Sequence, residues 1–239
     1  MDLDSDSSWN GLRCVVLDAV GTLIEPFPSV SEAYVTSANR QGIALDRDVV
    51  RERFHRAFRK DESSEGLGAW TTDEATEVRR WRRIVAEVLP ELPDPDRGFA
   101  DLWEHFGRPS SWRCFPDVPE FLRRANASRL ILRIASNFDG RLRTVIRGLP
   151  EVSALADRLW ISSEVGRRKP HPEFYQSVIH GLGTSPEAGL WVGDDPENDV
   201  LGPRRAGFRS VLLNRVRTVG SVGPSVPDLL TLAEALALR

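Results

Sequence analysis

The feature that most constrains the fold is a series of short apolar runs along the chain. From residue 112 onward each of these runs is followed by a stretch with helical spacing, so that strand and helix alternate. This alternation predicts an α/β fold with a parallel sheet, because parallel strands need a crossover connection and the helices supply it. The runs lie at residues 14–20, 130–136, 158–163, 189–194 and 209–214.

The region between the first two apolar runs has a different pattern. Four segments there place apolar residues at helical spacing and carry Ser, Asp or Thr where a helix would begin, at residues 29–42, 46–60, 71–89 and 94–107. We therefore predict an all-helical insert at residues 27–108, within an α/β core formed by residues 12–26 and 109–239. The polar stretch 61–70 is expected to be a loop inside the insert.

Composition and charge exclude several function classes. Lys and Arg total 32 against 35 for Asp and Glu, a net charge of -3, so no overall basic field favours nucleic acid or an anionic membrane as partner. The arginine-rich stretch 79–83 is interpreted as the solvated face of a helix. Cys14 and Cys114 are too far apart to suggest a metal site or a disulfide framework. With neither a signal peptide nor a long apolar run, we expect a cytoplasmic protein.

Reactive side chains follow four of the predicted strands. Ligands of an open parallel sheet bind beyond the carboxyl ends of its strands. A carboxylate, a hydroxyl, an ammonium and paired carboxylates together form the type of site that phosphoryl transfer needs. Taken singly, these residues are equally compatible with turns and helix caps. They are Asp18, Ser136 with Asn137, Lys169, and Asp194 with Asp195.

Four sequence segments, taken in order, resemble the motifs of the haloacid dehalogenase-like (HAD) hydrolase superfamily. They are "DAVGTL" from residue 18, "IASN" from 134, "KPHPEFY" from 169 and "VGDDPENDV" from 192. The resemblance covers nearly the whole chain and implies a Rossmannoid parallel-sheet core with an inserted helical C1 cap, as in subfamily I. Within the superfamily the sequence is similar to the group of haloacid dehalogenase-like hydrolase domain-containing protein 3, whose members also vary the second aspartate of the first motif.

The resemblance implies a role for each motif residue. Asp18 would be the nucleophile that becomes an aspartyl-phosphate, and Lys169 would neutralise charge on the nucleophile and the phosphate. The phosphate oxygens would contact Thr22, Ser136, Asn137 and Lys169. Magnesium prefers hard oxygen ligands, and the implied set is Asp18, the carbonyl of Val20, Asp194 and Asp195, with Asp199 behind them.

Val20 occupies the position where related phosphatases carry their general acid and base. A valine cannot donate or accept a proton, and loss of such a group typically lowers the rate by about 10² to 10⁴. We expect a Mg²⁺-dependent phosphatase of a small phosphorylated metabolite, slow or supplied with an acid by Glu25 or by the helical insert. The alternatives are a weak or silent phosphate-binding relative and a 2-haloacid dehalogenase, in which halide departs without a proton. The sequence leaves monomer and dimer open.

The histidines and the three tryptophans of the insert are expected to be structural. Core packing is the default interpretation for the tryptophans of the insert, and lining a substrate pocket is the alternative. These residues are His55, His105, His171, His180, Trp70, Trp81 and Trp103.

Overall fold

The computed structural model describes residues 9–62, 70–215 and 223–238. The strands are β1 (Cys14–Leu17), β2 (Ile24–Pro26), β3 (Trp112–Cys114), β4 (Ile131–Ser136), β5 (Leu159–Ile161), β6 (Gly189–Gly193), β7 (Arg209–Leu213) and β8 (Ser225–Val226). The α-helices are α1 (Val30–Asn39), α2 (Arg47–Glu62), α3 (Glu74–Val88), α4 (Pro95–Gly107), α5 (Val118–Ala127), α6 (Arg141–Gly148), α7 (Ser162–Val165), α8 (Pro172–Leu182), α9 (Gly202–Arg205) and α10 (Leu229–Ala235). A π-helical segment spans Pro196–Leu201.

Six strands form one sheet in the order β5-β4-β1-β6-β7-β8, and every neighbouring pair is parallel. The central strand β1 pairs Leu17 with Ile134 of β4 on one side and with Val192 of β6 on the other. Because these strands share a register, the residues after them meet at one edge of the sheet. The predicted α/β fold with a parallel sheet is confirmed.

The sheet is buried on both faces, which explains why β1 is a continuous apolar run rather than an alternating one. Val15 and Leu17 pack into one core cluster with residues of α5, α6 and α10. Cys14 and Val16 point to the opposite cluster, which includes Phe174 of α8. Helices therefore cover both faces and hold the edge of the sheet that carries Asp18 in place.

The four helices predicted in the insert are present as α1 to α4. Their N-terminal residues explain where three of them begin. Ser29 forms a capping box with Glu32. The side chains of Asp73 and Asp94 each accept a hydrogen bond from the amide three residues further along the chain. The helices share a core that includes Tyr34 and Val88. The domain division at residues 27–108 stays a prediction.

Two features in the insert and at its boundaries differ from the sequence-based expectation. Strands β2 and β3 form an antiparallel pair where the chain leaves and re-enters the core, and three-residue strands are too short to give a period. Helix α2 continues through Asp61 and Glu62, so these first two residues of the loop expected at 61–70 are helical. Residues 63–69 of that prediction lie outside the described residues.

The interpretation of residues 79–83 as a solvated face is wrong for Arg80. Its side chain is only 9% exposed and forms ion pairs with Asp61, Glu62 and Glu77. Such pairing is what makes burial of a guanidinium tolerable, since an unpaired buried charge is costly. As for membranes, the helices seen in the described ranges are too short or too polar to span a bilayer.

Candidate active site

A buried ion pair joins Asp18, which follows β1, to Lys169, which precedes α8. The Lys169 Nζ donates to Asp18 Oδ1 at 2.8 Å, to Asp199 Oδ1 at 2.7 Å and to the carbonyl of Ala135 at 3.1 Å. The lysine side chain is 2% exposed. An ammonium has three N–H donors, so all of them are used and the charged end is fixed beside Asp18.

Asn137 positions Lys169 through its side chain. Its Nδ2 donates to the Lys169 carbonyl at 2.9 Å, and its Oδ1 accepts from the Lys169 amide at 2.7 Å. The predicted contact of Asn137 with a phosphate therefore rests on its main-chain amide. His171 has the structural role expected of it, because its Nδ1 accepts from the Glu173 amide at the start of α8.

Three carboxylates gather around the ion pair. One oxygen from each of Asp18, Asp194 and Asp199 lies within 4.8 Å of the others. Asp18 and Asp199 are buried and Asp194 is exposed. We call Asp18, Lys169, Asp194 and Asp199 the polar floor. With three carboxylates and one ammonium, the floor has an excess of negative charge when all are ionised.

Asp195 and Asp199 lie differently from the expected arrangement. The Asp195 Oδ1 accepts from the amides of Glu197 and Asn198 at 2.9 and 2.7 Å and so caps the π-helical segment. Asp199, which was expected to lie behind the metal ligands, is instead part of the carboxylate cluster with Asp18 and Asp194. Its oxygens already accept from Lys169, from Trp191 Nε1 at 3.1 Å and from the Asp195 amide at 3.2 Å.

Two glycines make room for the acidic groups. Gly21 has φ of +86°, and a Cβ there would lie 2.2 Å from Asp194 Oδ2. A Cβ on Gly193 would lie 2.3 Å from the Cγ of Asp199. A side chain at either position would push a floor carboxylate away, and at Gly21 it would also strain the backbone.

Burial and the neighbouring charges shift the pKa values of the floor residues. Burial raises the pKa of Asp18 to about 6 even though Lys169 opposes the shift. Partial desolvation and the charges of Asp18 and Asp199 raise the pKa of Asp194 to about 8. Burial alone would lower the pKa of Lys169, but the carboxylates of Asp18 and Asp199 outweigh it and raise that pKa. The lysine therefore stays charged, while the carboxylates favour a further positive charge nearby.

The turn after Asp18 places Val20 and Thr22 differently. Val20 lines the cavity described below, whereas Thr22 does not. Thr22 is fully buried, and within the described residues its hydroxyl has no hydrogen-bond partner. Arg215, which the sequence analysis missed, donates to the carbonyls of Gly21 and Thr22 at 3.3 and 2.8 Å and pairs with Asp117.

A cavity of about 580 Å³ extends from the polar floor into the helical insert. Ser136, Asn137 and Val20 also line it near Asp18. Trp81 and Trp103 line the cavity, so for these two tryptophans the structure agrees with the alternative of lining a pocket. Phe54 and Phe58 were missed, although their i, i+4 spacing on α2 signals a shared face. We call the aromatic lining of α1 to α4 the helical wall: Tyr34, Phe54, Phe58, Trp81, Phe99, Trp103 and Phe106.

Buried ion pairs connect the helical wall to the core. Glu62 of α2 accepts hydrogen bonds from Arg80 of α3 and from Arg168, the residue before Lys169. Arg168 is buried and also lines the cavity. Sequence analysis missed this connection because nothing in the local pattern around Glu62 or Arg168 names a partner 106 residues away.

Glu25 does not fit the expected role of replacement acid. Its carboxylate accepts from Arg113 Nε at 2.7 Å across the β2 and β3 pair, and it is not among the residues that line the cavity. The structure therefore gives no support to proton donation by Glu25.

Comparison with known proteins agrees with the fold and with the motifs. The family model described as haloacid dehalogenase-like hydrolase matches residues 12–207. Haloacid dehalogenase-like hydrolase domain-containing protein 3 of Bos taurus is 25% identical over 84% of this chain and 82% of its own length. A phosphoserine phosphatase of Thermus thermophilus is 28% identical over 85% and 86%.

A solved dehalogenase structure superposes with a TM-score of 0.76, at 19% identity, over 96% of this chain and 99% of that one. At this identity the likeness concerns the fold alone. The family model, however, spans most of the chain, and the motif residues that suggested the resemblance meet at one site. The chain belongs to the haloacid dehalogenase-like hydrolase family and is a hydrolase.

Proposed function

We propose that this hydrolase is a Mg²⁺-dependent phosphatase that transfers the phosphoryl group of a small phosphorylated metabolite to Asp18. The observation that carries the proposal is the Lys169 ammonium, fixed 2.8 Å from Asp18 at the bottom of a cavity and next to two further carboxylates. This arrangement holds a nucleophile beside a permanent cation that can also meet an anionic substrate. A relative named as a phosphoserine phosphatase supports the same reaction class.

The floor residues fit a magnesium ion. Asp18, Asp194 and the Val20 carbonyl are hard oxygen donors of the type magnesium prefers. Burial first, and the neighbouring carboxylates second, raise the pKa values of Asp18 and Asp194, and a cation bound here would oppose both effects. When bound, the ion would neutralise the carboxylate charge and polarise the phosphate. Asp195 remains a proposed further ligand. We assign Asp199 to positioning Lys169, because three donors already occupy its oxygens.

In the proposed first step an Asp18 oxygen attacks phosphorus, the ester P–O bond breaks, and the electron pair leaves with the alcohol oxygen. The Ser136 hydroxyl and the Asn137 amide would contact the phosphate oxygens. Water then attacks phosphorus, the bond to Asp18 breaks, and inorganic phosphate and the free carboxylate result. Val20 can neither protonate the leaving oxygen nor accept a proton from the water, so both transfers involve solvent.

The test is an assay of phosphate and halide release. The purified protein is incubated with p-nitrophenyl phosphate, acetyl phosphate and 2-chloropropionate, in Mg²⁺ and in EDTA. We expect Mg²⁺-dependent phosphate release that disappears in Asp18→Asn and rises by about 10² or more in Val20→Asp. Asp157→Asn, which alters an aspartate 88% exposed far from the floor, serves as the matched control.

Other outcomes would select the alternatives. Halide release that EDTA does not affect would replace the proposal with 2-haloacid dehalogenation. If neither phosphate nor halide is released, even by Val20→Asp, the protein is better described as a silent phosphate-binding relative.

A further inference from the structure

The cavity next to Asp18 is mainly aromatic on the side that faces away from the nucleophile. Tyr34, Phe54, Phe58, Trp81 and Trp103 come from four different helices and line one space of about 580 Å³. Transfer of apolar surface out of water is favourable, so an aromatic surface of this size favours an apolar occupant. Trp112 and Phe138 extend the same lining to the core.

Three of the four arginines that line the cavity are already paired with carboxylates, and the fourth, Arg59, is exposed. Arg80 is paired with Asp61, Glu62 and Glu77, and Arg168 is paired with Glu62. Arg141 binds Asp139 through two nitrogens and stacks on Trp103. Because these guanidinium groups already have carboxylate partners, the inner wall does not call for a second anionic group on the substrate.

Beside Asp18, the carboxyl groups of Asp194 and Asp195 are assigned to the metal in the proposed function, which would keep them ionised and without a proton for the leaving oxygen. Val20 has no proton donor, and the three N–H groups of Lys169 are bonded to Asp18, Asp199 and Ala135. Glu62 accepts from two arginines, and His55 is exposed on α2. A leaving oxygen that departs as a stabilised anion, and takes its proton from solvent afterwards, therefore suits this site best.

From the aromatic, charge-paired lining and from the lack of a positioned acid beside Asp18, we infer the class of the substrate. It is a phosphate ester of an acidic hydroxyl, aromatic or enolic, carried on a large apolar body. The inference rests on the proposed phosphatase function and names its substrate class. Asp18 attacks phosphorus, the aryl or enol oxygen leaves with the electron pair of the P–O bond, and water in the open cavity later protonates it. The apolar body lies against the helical wall.

Four substrates separate the two parts of this inference. Phenyl and 2-naphthyl phosphate share a leaving-group type but differ in apolar size. 2-Naphthyl and (2-naphthyl)methyl phosphate share the apolar body, but only the first has an acidic hydroxyl. Acetyl phosphate, which has almost no body, reports on Asp18 alone. We expect kcat/KM to be about tenfold higher for naphthyl than for phenyl, and about 10² higher for naphthyl than for naphthylmethyl.

Variants should change these two ratios separately. Phe58→Ala should lower the naphthyl-to-phenyl ratio about tenfold and leave the naphthyl-to-naphthylmethyl ratio as it is. Val20→Asp should lower the naphthyl-to-naphthylmethyl ratio and leave the naphthyl-to-phenyl ratio as it is, because it restores a proton donor. Trp81→Phe is a milder second change in the wall, in case Phe58→Ala does not fold. Val49→Ala alters an exposed residue of the same helix and is the matched control.

Each result decides the question. If acetyl phosphate and all esters are hydrolysed with ratios near one, the phosphatase function stands and the inferred substrate class is wrong. Preference for the smaller or the alkyl ester would also overturn the inference. If acetyl phosphate and all of the esters release no phosphate, both the proposed function and the inference fail.

Discussion

The polar floor and the helical wall meet in one cavity but are built in opposite ways. In the floor, Asp18 and Asp194 directly follow strands β1 and β6, so the backbone of the sheet fixes their positions. Lys169 and Asp199 are held against them by hydrogen bonds. The wall consists of side chains from helices α1 to α4 that contact one another only after the helices have packed. In the function proposed above, the floor would carry the reaction and the wall would select the substrate.

The two regions also differ in how they bear charge. The wall balances its buried arginines with carboxylates, whereas the floor has three carboxylates around a single lysine. An excess of like charge costs stability and persists where a bound ion or substrate offsets it. The floor should thus respond strongly to charge, pH and Mg²⁺, and the wall should respond to changes in shape.

The largest effect is expected from Lys169→Met. This change removes the ammonium and leaves Asp18 and Asp199 buried without it, so the free energy of unfolding should fall by about 3–5 kcal/mol. Urea unfolding measures the change. Arg147→Met, which breaks an exposed pair with Asp157, should cost less than about 1 kcal/mol. Equal losses in the two variants would show that the floor lysine is not needed to offset charge.

The pH dependence of stability comes next. In the metal-free protein Asp18 and Asp194 have pKa values of about 6 and about 8, against an ordinary value of 3.8. Between pH 4 and pH 8 the folded state binds more protons than the unfolded chain, so stability should fall as pH rises over this range. The shift of buried Asp18 alone accounts for about 3 kcal/mol, and Asp194 adds a part that its exposure reduces.

Saturating Mg²⁺ should reduce this dependence on pH, because the ion favours the charged carboxylates. Urea titrations at several pH values, with Mg²⁺ and with EDTA, measure it. Stability that rises over the same range in EDTA would contradict the charge arrangement described for the floor.

A smaller effect of opposite sign is expected from Asp194→Asn. At pH 7 the Asp194 carboxyl is mostly protonated in the folded metal-free protein but ionised in the unfolded chain, and Asp194→Asn removes the cost of that protonation. The substitution should therefore raise the stability of the metal-free protein by about 1 kcal/mol, while the stabilisation by Mg²⁺ should disappear. Thermal unfolding with and without Mg²⁺ measures both. Asp157→Asn is the control, and a variant that is destabilised in EDTA but still stabilised by Mg²⁺ would contradict the prediction.

The smallest effect concerns the contact between the wall and the core. The Glu74 Oε1 at the start of α3 accepts from the Gly140 amide at 2.8 Å and from the Ser163 hydroxyl at 2.5 Å. Glu74→Gln should lower the free energy of unfolding by about 1 kcal/mol, since the weaker acceptor loses part of both bonds. Glu104→Gln on the exposed surface of α4 is the control, and an equal change in both would argue against this contact.

Several parts of the structure follow from the sequence alone. The apolar runs predict the strands, the cap residues Ser29, Asp73 and Asp94 predict where helices begin, and the register of parallel strands brings Asp18 and Asp194 to one edge. These are local signals, because strand burial and helix capping depend on neighbouring residues.

Other parts became visible only in three dimensions. Lys169 meets Asp18 across 151 positions of the chain, and Arg168 meets Glu62 across 106. No local pattern encodes such partners. The positions of Asp195 and Asp199 were also not visible in the sequence. The π-helical turn directs the Asp195 carboxylate to backbone amides and the Asp199 carboxylate to Lys169.

The sequence by itself thus determined the family, the α/β fold and the residue types able to do chemistry. The tertiary structure decided which of those residues share one charge cluster, and that the space above them is aromatic and charge-balanced. The physical reason is that strand ends and helix starts are fixed by short-range periodicity and hydrogen bonding, whereas a cavity is the surface left over when distant elements have packed.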